Sequence, residues 1–195
     1  FPKRTPRRKN REGSCSMLRI LIAYATKTGS TAHCADLLAA ALEKAGLPEP
    51  VIADLSAGRP DPAAFDGIVV GGSIRAGRLH RRASAYLTRY AKTLAGKPFA
   101  FFLCNAADEQ TETLIRENLP EPLLRNACCT ASFGGSLELD KQTGFDRLIV
   151  RAILDSLAKE GRQPPKIHGE CIRPFADTFA AAVRSADTGG ADGAN

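Results

Sequence analysis

The sequence predicts an α/β fold: a doubly wound parallel sheet of five strands in the order 2-1-3-4-5, with an insertion after strand five. Three observations carry this. Short, nearly continuous apolar runs alternate with helix-period segments along the chain, as strands covered on both faces by crossover helices do. The chain has 195 residues, which suits one such domain better than two. Hydrophobic residues make up 44% and charged residues 25%, so a sizeable core is buried and a wholly disordered chain is excluded.

Each element follows from local pattern. Residues 18–24, Leu-Arg-Ile-Leu-Ile-Ala-Tyr, read as a first strand. A small, polar loop at 25–31 follows it. Ala32, Ala35, Leu38, Leu42 and Ala45 recur at helical spacing, and Gly46 with Pro48 stops that helix. Residues 51–53 form a short second strand, and 67–72 a buried third. A loop at 73–78 leads into a helix over 79–95, with Ala83, Tyr86, Leu87, Tyr90 and Leu94 on one face. Residues 99–104 are the fourth strand. Asp108 caps a helix to residue 119, ended by Pro120 and Pro122. Residues 128–133 are the fifth strand, closed by Gly134 and Gly135. The segment 135–170 reads as an insertion carrying a helix over 145–159. The last helix is expected over 174–185, with Pro174 near its first turn and Phe175, Phe179 and Val183 on one face.

The net charge of +6 is misleading until partitioned. Residues 1–16 carry six basic side chains against Glu12, a net of +5, which leaves +1 for residues 17–195. The expectation is a disordered basic extension at 1–16, added or translated from upstream of Met17. One domain then occupies 17–185, with a flexible tail at 186–195. A nucleic-acid partner is not expected, because the basic character belongs to that extension alone. No run of 18 apolar residues and no signal-peptide succession is present, so the expected location is cytoplasmic. Six cysteines at 15, 34, 104, 128, 129 and 171 give no metal-ligand spacing and imply a reduced compartment. Cys128 and Cys129 are expected to face opposite sides of their strand as structural thiols.

In an open parallel sheet, ligands bind at the carboxyl ends of the strands where the strand order reverses, here between strands one and three. Three loops meet there: 25–31, 73–78 and 105–108. In the first, Thr26, Thr28, Ser30 and Thr31 offer hydroxyls beside Lys27, and Gly29 lets backbone approach closely. Free N–H groups at the helix start favour an anion. The loop is a phosphate cradle without the GK[ST] of a Walker loop or the GxGxxG of a dinucleotide fold.

Tyr24-x-Thr26-x-x-Gly29-x-Thr31-x-x-x-Ala35-x-x-Leu38 resembles the flavodoxin signature. The resemblance covers residues 17–185 and implies a flavodoxin-like fold with FMN as cofactor and its phosphate in the first loop. Ala23 is smaller than the residue usual there. Gly71-Gly72-Ser73-Ile74-Arg75-Ala76-Gly77-Arg78-Leu79-His80 is similar to the corresponding loop of the menaquinone-dependent protoporphyrinogen IX dehydrogenases of haem biosynthesis. This implies FMN contacts from Thr26, Lys27, Thr28, Gly29, Ser30, Thr31, Ser73, Ile74, Arg75, Ala76, Gly77, Asn105 and Ala106. It also implies a porphyrinogen substrate and a quinone acceptor. That family has an insertion after strand five as well. The chain departs from it at Ala76, where Tyr occurs, and at 137–140, where aromatic and basic residues occur. Arg75 is the candidate catalytic residue, placed to balance charge on the reduced flavin or on a substrate carboxylate. The rival reading is an electron carrier or a regulatory FMN module without its own substrate.

Other constellations fail simple tests. A Cys-x5-Arg phosphatase loop is absent after every cysteine, and Gly71-x-Ser73-x-Arg75 lacks the last glycine of a nucleophile elbow. His80 is expected to start a helix, and His33 and His168 have no partner pattern. On the 145–159 helix, Arg147, Arg151, Asp155 and Lys159 share a polar face. Its apolar face is expected to pack on the domain or a second subunit, as in a homodimer, ahead of a peripheral membrane contact.

Overall fold

The computed structural model describes residues 18–105, 110–135 and 166–189. The expectations for 1–16, Ala106, Asp108, the helix at 145–159 and the end of the C-terminal tail lie outside the described residues.

The sheet forms as expected. Strands β1 (Ile20–Ala25), β2 (Val51–Asp54), β3 (Gly67–Arg75), β5 (Phe99–Cys104) and β6 (Ala127–Ser132) lie in the order β2-β1-β3-β5-β6, all parallel. Counting these main strands, this is the order 2-1-3-4-5. The short β4 (Arg78–Leu79) pairs antiparallel with the end of β3. Every residue of β5 is buried, because helices cover both sheet faces. Helices α1 (Ser30–Lys44) and α5 (Gly169–Gly189) close one face, where Leu38, Leu42, Phe175 and Phe179 pack on Ile20, Ile22 and Phe102. Helices α2 (Arg81–Ala95), α3 (Thr111–Asn118) and α4 (Glu121–Asn126) close the other, with Tyr86, Leu87, Leu114 and Leu123 against Leu21, Val70 and Phe101.

Several elements differ from the sequence reading. The segment 73–78 is not a loop. β3 runs on to Arg75 and turns back through Ala76 (φ 48°) and Gly77 (φ 74°) into β4. Two positive φ values are what a two-residue I′ hairpin turn requires. Ala76 adopts one without being glycine, at a steric cost. Pro120 and Pro122 do not only end α3: Pro120 precedes α4 and Pro122 lies in its first turn, where a missing N–H costs nothing. The last helix is longer at both ends, starting at Gly169 and reaching Gly189, so residues 186–189 are helical and Pro174 sits inside it. Cys128 and Cys129 do not alternate. The register slips between Phe99↔Ala127 and Ala100↔Cys129, which makes Cys128 the extra residue of a bulge, and both thiols pack toward the α1–α5 face. Sequence alternation cannot reveal such a slip.

Two glycines in β3 have steric reasons. A Cβ on Gly71 would lie 2.1 Å from Cζ of Phe102, and one on Gly72 2.4 Å from Cδ1 of Leu79. After β6 the chain makes a bridge, Gly134 against Ile167, with Gly134 at φ 68°.

Candidate functional site

The carboxyl ends of β1, β3 and β5 bring the first loop, the second and the start of the third, Asn105, to one edge of the sheet. At the first, Gly29 takes φ 94° and is the N-cap of α1. Its N–H donates to Thr26 Oγ1 at 3.0 Å. That bond uses Thr26 as acceptor and leaves its O–H hydrogen to donate elsewhere. The first intrahelical bond runs from His33 N–H to Gly29 C=O at 3.0 Å, so the amides of the first turn have no helical carbonyl to meet. No side chain caps α1, and no acidic residue stands in its first turn. Ser30 and Thr31 are buried, Thr26, Thr28 and Gly29 half-buried, and Lys27 exposed. Thr31 Oγ1 is buried without an oxygen or nitrogen partner, and its polar neighbour is the Cys104 thiol.

Behind this turn Cys34 and Cys104 are both buried in the α1-side core. Interaction with the Cys34 thiol, followed by burial, keeps the Cys104 thiol well above its usual pKa, and the Thr31 hydroxyl beside it opposes the rise.

The second loop is the β3–β4 hairpin. Ser73 and Ile74 are half-buried at its base, and Arg75, Ala76 and Gly77 are exposed at its tip. His80 N–H donates to Ser73 C=O at 2.9 Å, which pins the start of α2 to the base of the hairpin. His80 starts the helix as expected, and its Nδ1 accepts from Arg82 N–H at 3.3 Å. Burial, then Arg82 and Arg81, lower the His80 pKa; Asp54 opposes this and Lys27 adds to it. His80 thus senses charges from the first loop, from β2 and from its own helix.

The third loop begins at buried Asn105, whose Oδ1 accepts from Ser132 Oγ at the end of β6. The sequence reading missed two supports, Ser132 and Asn118. Asn118 reaches from the end of α3 to the hairpin, and nothing in its local pattern marks it for that role. Among the described residues no group of three or more His, Cys, Asp or Glu could hold a metal, and no helix is long and apolar enough to cross a membrane.

A helix start open to an anion, at the switch point of a 2-1-3-4-5 sheet, is how a flavin-phosphate fold is laid out. A family model described as "Flavodoxin domain" matches residues 21–163, and the chain belongs to the flavodoxin family. Within that family it is similar to protoporphyrinogen IX dehydrogenase (quinone) of Escherichia coli K12. The two are 26% identical over 144 residues, which cover 70% of this chain and 79% of that protein. Among solved structures, rubredoxin oxygen:oxidoreductase from Desulfovibrio gigas matches with TM-score 0.53 and 14% identity, over 86% of this chain. This chain spans only 36% of that larger protein. An oxidoreductase from Corynebacterium diphtheriae matches with TM-score 0.51 and 16% identity, over 87% of this chain and 99% of that one. At such identities the likeness is one of fold.

The family and the fold indicate a flavin cofactor. The residues present fit its phosphate end. The buried Thr31 hydroxyl has no oxygen or nitrogen partner, α1 begins with neither a side-chain cap nor an acidic residue in its first turn, and a Cβ on Gly29 would meet nothing within 4 Å.

Proposed function

We propose that the protein is an FMN-dependent oxidoreductase that oxidises protoporphyrinogen IX and passes the electrons to a quinone. The observation that carries this reading is the likeness to the E. coli enzyme of that name, over 70% of the chain. The site geometry supports the cofactor half of the proposal.

Bound FMN would supply the redox chemistry. The protein's own residues would bind, orient and balance charge. Thr26, Thr28, Ser30, Thr31 and the first-turn amides of α1 would hold the phosphate, with Lys27 adding positive charge and Gly29 giving close approach. Ser73, Ile74, Ala76 and Gly77 would border the ring from the second loop and Asn105 from the third, where Ala106 is the further candidate outside the described residues. Arg75 offers a permanent cation to the reduced cofactor or to a substrate carboxylate. A quinone acceptor also implies work at the inner face of a cell membrane, as a peripheral contact.

Two measurements test the proposal. An absorbance band near 450 nm in the purified protein reports the flavin. Anaerobic oxidation of protoporphyrinogen IX with a menaquinone analogue reports the reaction. A flavin band without that oxidation would favour the electron carrier or regulatory module, and no flavin would overturn the cofactor.

A further inference from the structure

Arg75 and Arg78 stand directly opposite each other across the β3–β4 hairpin. Like charges in register on an antiparallel pair repel. Three residues further on, α2 opens with Arg81 and Arg82 and has no acidic residue in its first turn. Cations at a helix N-terminus face the positive end of the helix dipole, which is the unfavourable arrangement. Among the described residues no carboxylate makes an ion pair with Arg78, Arg81 or Arg82. Arg78 and Arg81 are exposed, and Arg82 is half-buried. The His80 N–H to Ser73 C=O bond at 2.9 Å ties the start of α2 to the base of the hairpin that carries Arg75 and Arg78, and the His80 imidazole there is depressed by burial, Arg82, Arg81 and Lys27. Two separate local rules of charge placement are broken within eight residues, beside the flavin-family site. Conflicts of this kind mark function better than they mark stability.

We propose that Arg78, Arg81 and Arg82, together with Arg75, form an anion-binding rim that selects a substrate bearing two or more carboxylates. The inference rests on the substrate reading above and goes further by assigning specificity to three residues that are not among the expected flavin contacts. The hairpin pair and the helix pair are two separate cationic stations. A ligand with two carboxylates on one flat framework can engage both while its reactive carbons lie over the site. Guanidinium forks suit carboxylate geometry, and their charge persists at any working pH.

The test uses the full chain and two probes: protoporphyrin IX, with two carboxylates, and its dimethyl ester, with none. Binding is followed by porphyrin fluorescence at low and at moderate salt, with and without added FMN. The variant is Arg78→Gln/Arg81→Gln/Arg82→Gln. The diacid is expected to bind the unaltered protein with an affinity that falls as salt rises. In the triple variant its dissociation constant should rise at least tenfold, while that of the ester moves less than twofold. The ligand-free triple variant should melt at a higher temperature, because the repulsion is relieved. Equal loss for diacid and ester, an unchanged diacid affinity, no diacid binding, or a lower melting temperature would each overturn the rim. Flavin content, read separately at 450 nm, is independent of these outcomes, so failure of the cofactor reading is distinguishable from failure of the rim.

Discussion

Asn118 holds the turn at Gly77: its Nδ2 donates to Gly77 C=O at 2.9 Å across a sequence gap of 41 residues. The same amide group also accepts from Leu79 N–H through Oδ1, at 2.8 Å, and donates to Leu114 C=O at 2.9 Å. One side chain on α3 therefore spans the hairpin that carries Arg75. Asn118→Ala leaves the Leu79 N–H without its acceptor, a loss of about 1–3 kcal/mol for a buried group. Asn118→Asp keeps that acceptor and loses the donors, so it should fall between the two. Urea denaturation of the three proteins gives the order, and equal stability for Ala and Asn would show that the clamp is idle.

Gly71→Ala should be poorly tolerated. The new methyl would press on the Phe102 ring, which stacks on Phe133 with centroids 4.7 Å apart. Phe133 in turn meets Phe175 edge-on at 5.2 Å, so the ring has no room to swing aside. Overpacking of this kind costs about 1–3 kcal/mol. A melting curve superimposable on that of the unaltered protein would mean that the aromatic row yields easily.

The buried Thr31 hydroxyl gives a prediction of opposite signs. Thr31→Val keeps the volume and removes a buried hydroxyl that has no oxygen or nitrogen partner, so the flavin-free protein should be no less stable. FMN affinity should nevertheless fall. Thr31→Val with Thr26→Ala should weaken it at least tenfold, since each charge-assisted hydrogen bond is worth about 1.5–3 kcal/mol. Fluorescence titration with FMN measures this, and unchanged affinity would remove the loop from phosphate binding.

Arg75→Ala is expected to retain most bound FMN and to lower quinone-linked turnover about tenfold or more, the effect of losing one charged contact of roughly 1.4 kcal/mol. Arg75→Lys should restore part of the rate, because the charge returns without the planar fork. Steady-state oxidation of protoporphyrinogen by FMN-loaded variants checks it; full turnover in Arg75→Ala would take this residue out of the mechanism.

His80 should make stability depend on pH. Burial, Arg82 and Arg81 hold its folded pKa below 6.5, the value it takes when unfolded. On acidification the unfolded chain therefore binds the proton first. The contribution is present above about pH 6.5 and declines as the pH falls toward the folded value. Protonation also removes the Nδ1 lone pair that accepts Arg82 N–H. Asn at this position caps without titrating. The stability difference between the unaltered protein and His80→Asn should thus shift toward the variant between neutral pH and pH 5. A constant difference across that window would exclude His80 as its source.

The sheet order and the site edge were legible in the sequence because buried strands write themselves as apolar runs, and residues 99–104 are the clearest case. The first loop was legible for a similar reason: Gly29 and its hydroxyl neighbours sit directly between strand and helix. What escaped was whatever depends on partners distant in sequence. The hairpin at Ala76 was hidden because alanine does not advertise a positive φ. The bulge at Cys128 depends on its neighbour strand, and the roles of Asn118 and Ser132 appear only once α3 and β6 are folded into place.

The Gly134–Ile167 bridge has a consequence for how this scaffold can be remodelled. A Cβ on Gly134 would lie 2.1 Å from Lys166 O, so the two crossing strands of chain touch backbone to backbone. Two points 33 residues apart in sequence are thus fixed side by side. Joining ends that already touch costs only about 0.6 kcal/mol more for each doubling of the joining chain. Added length at this junction is therefore expected to leave the strand register of the sheet intact, which makes the bridge the first place to try an enlarged connection.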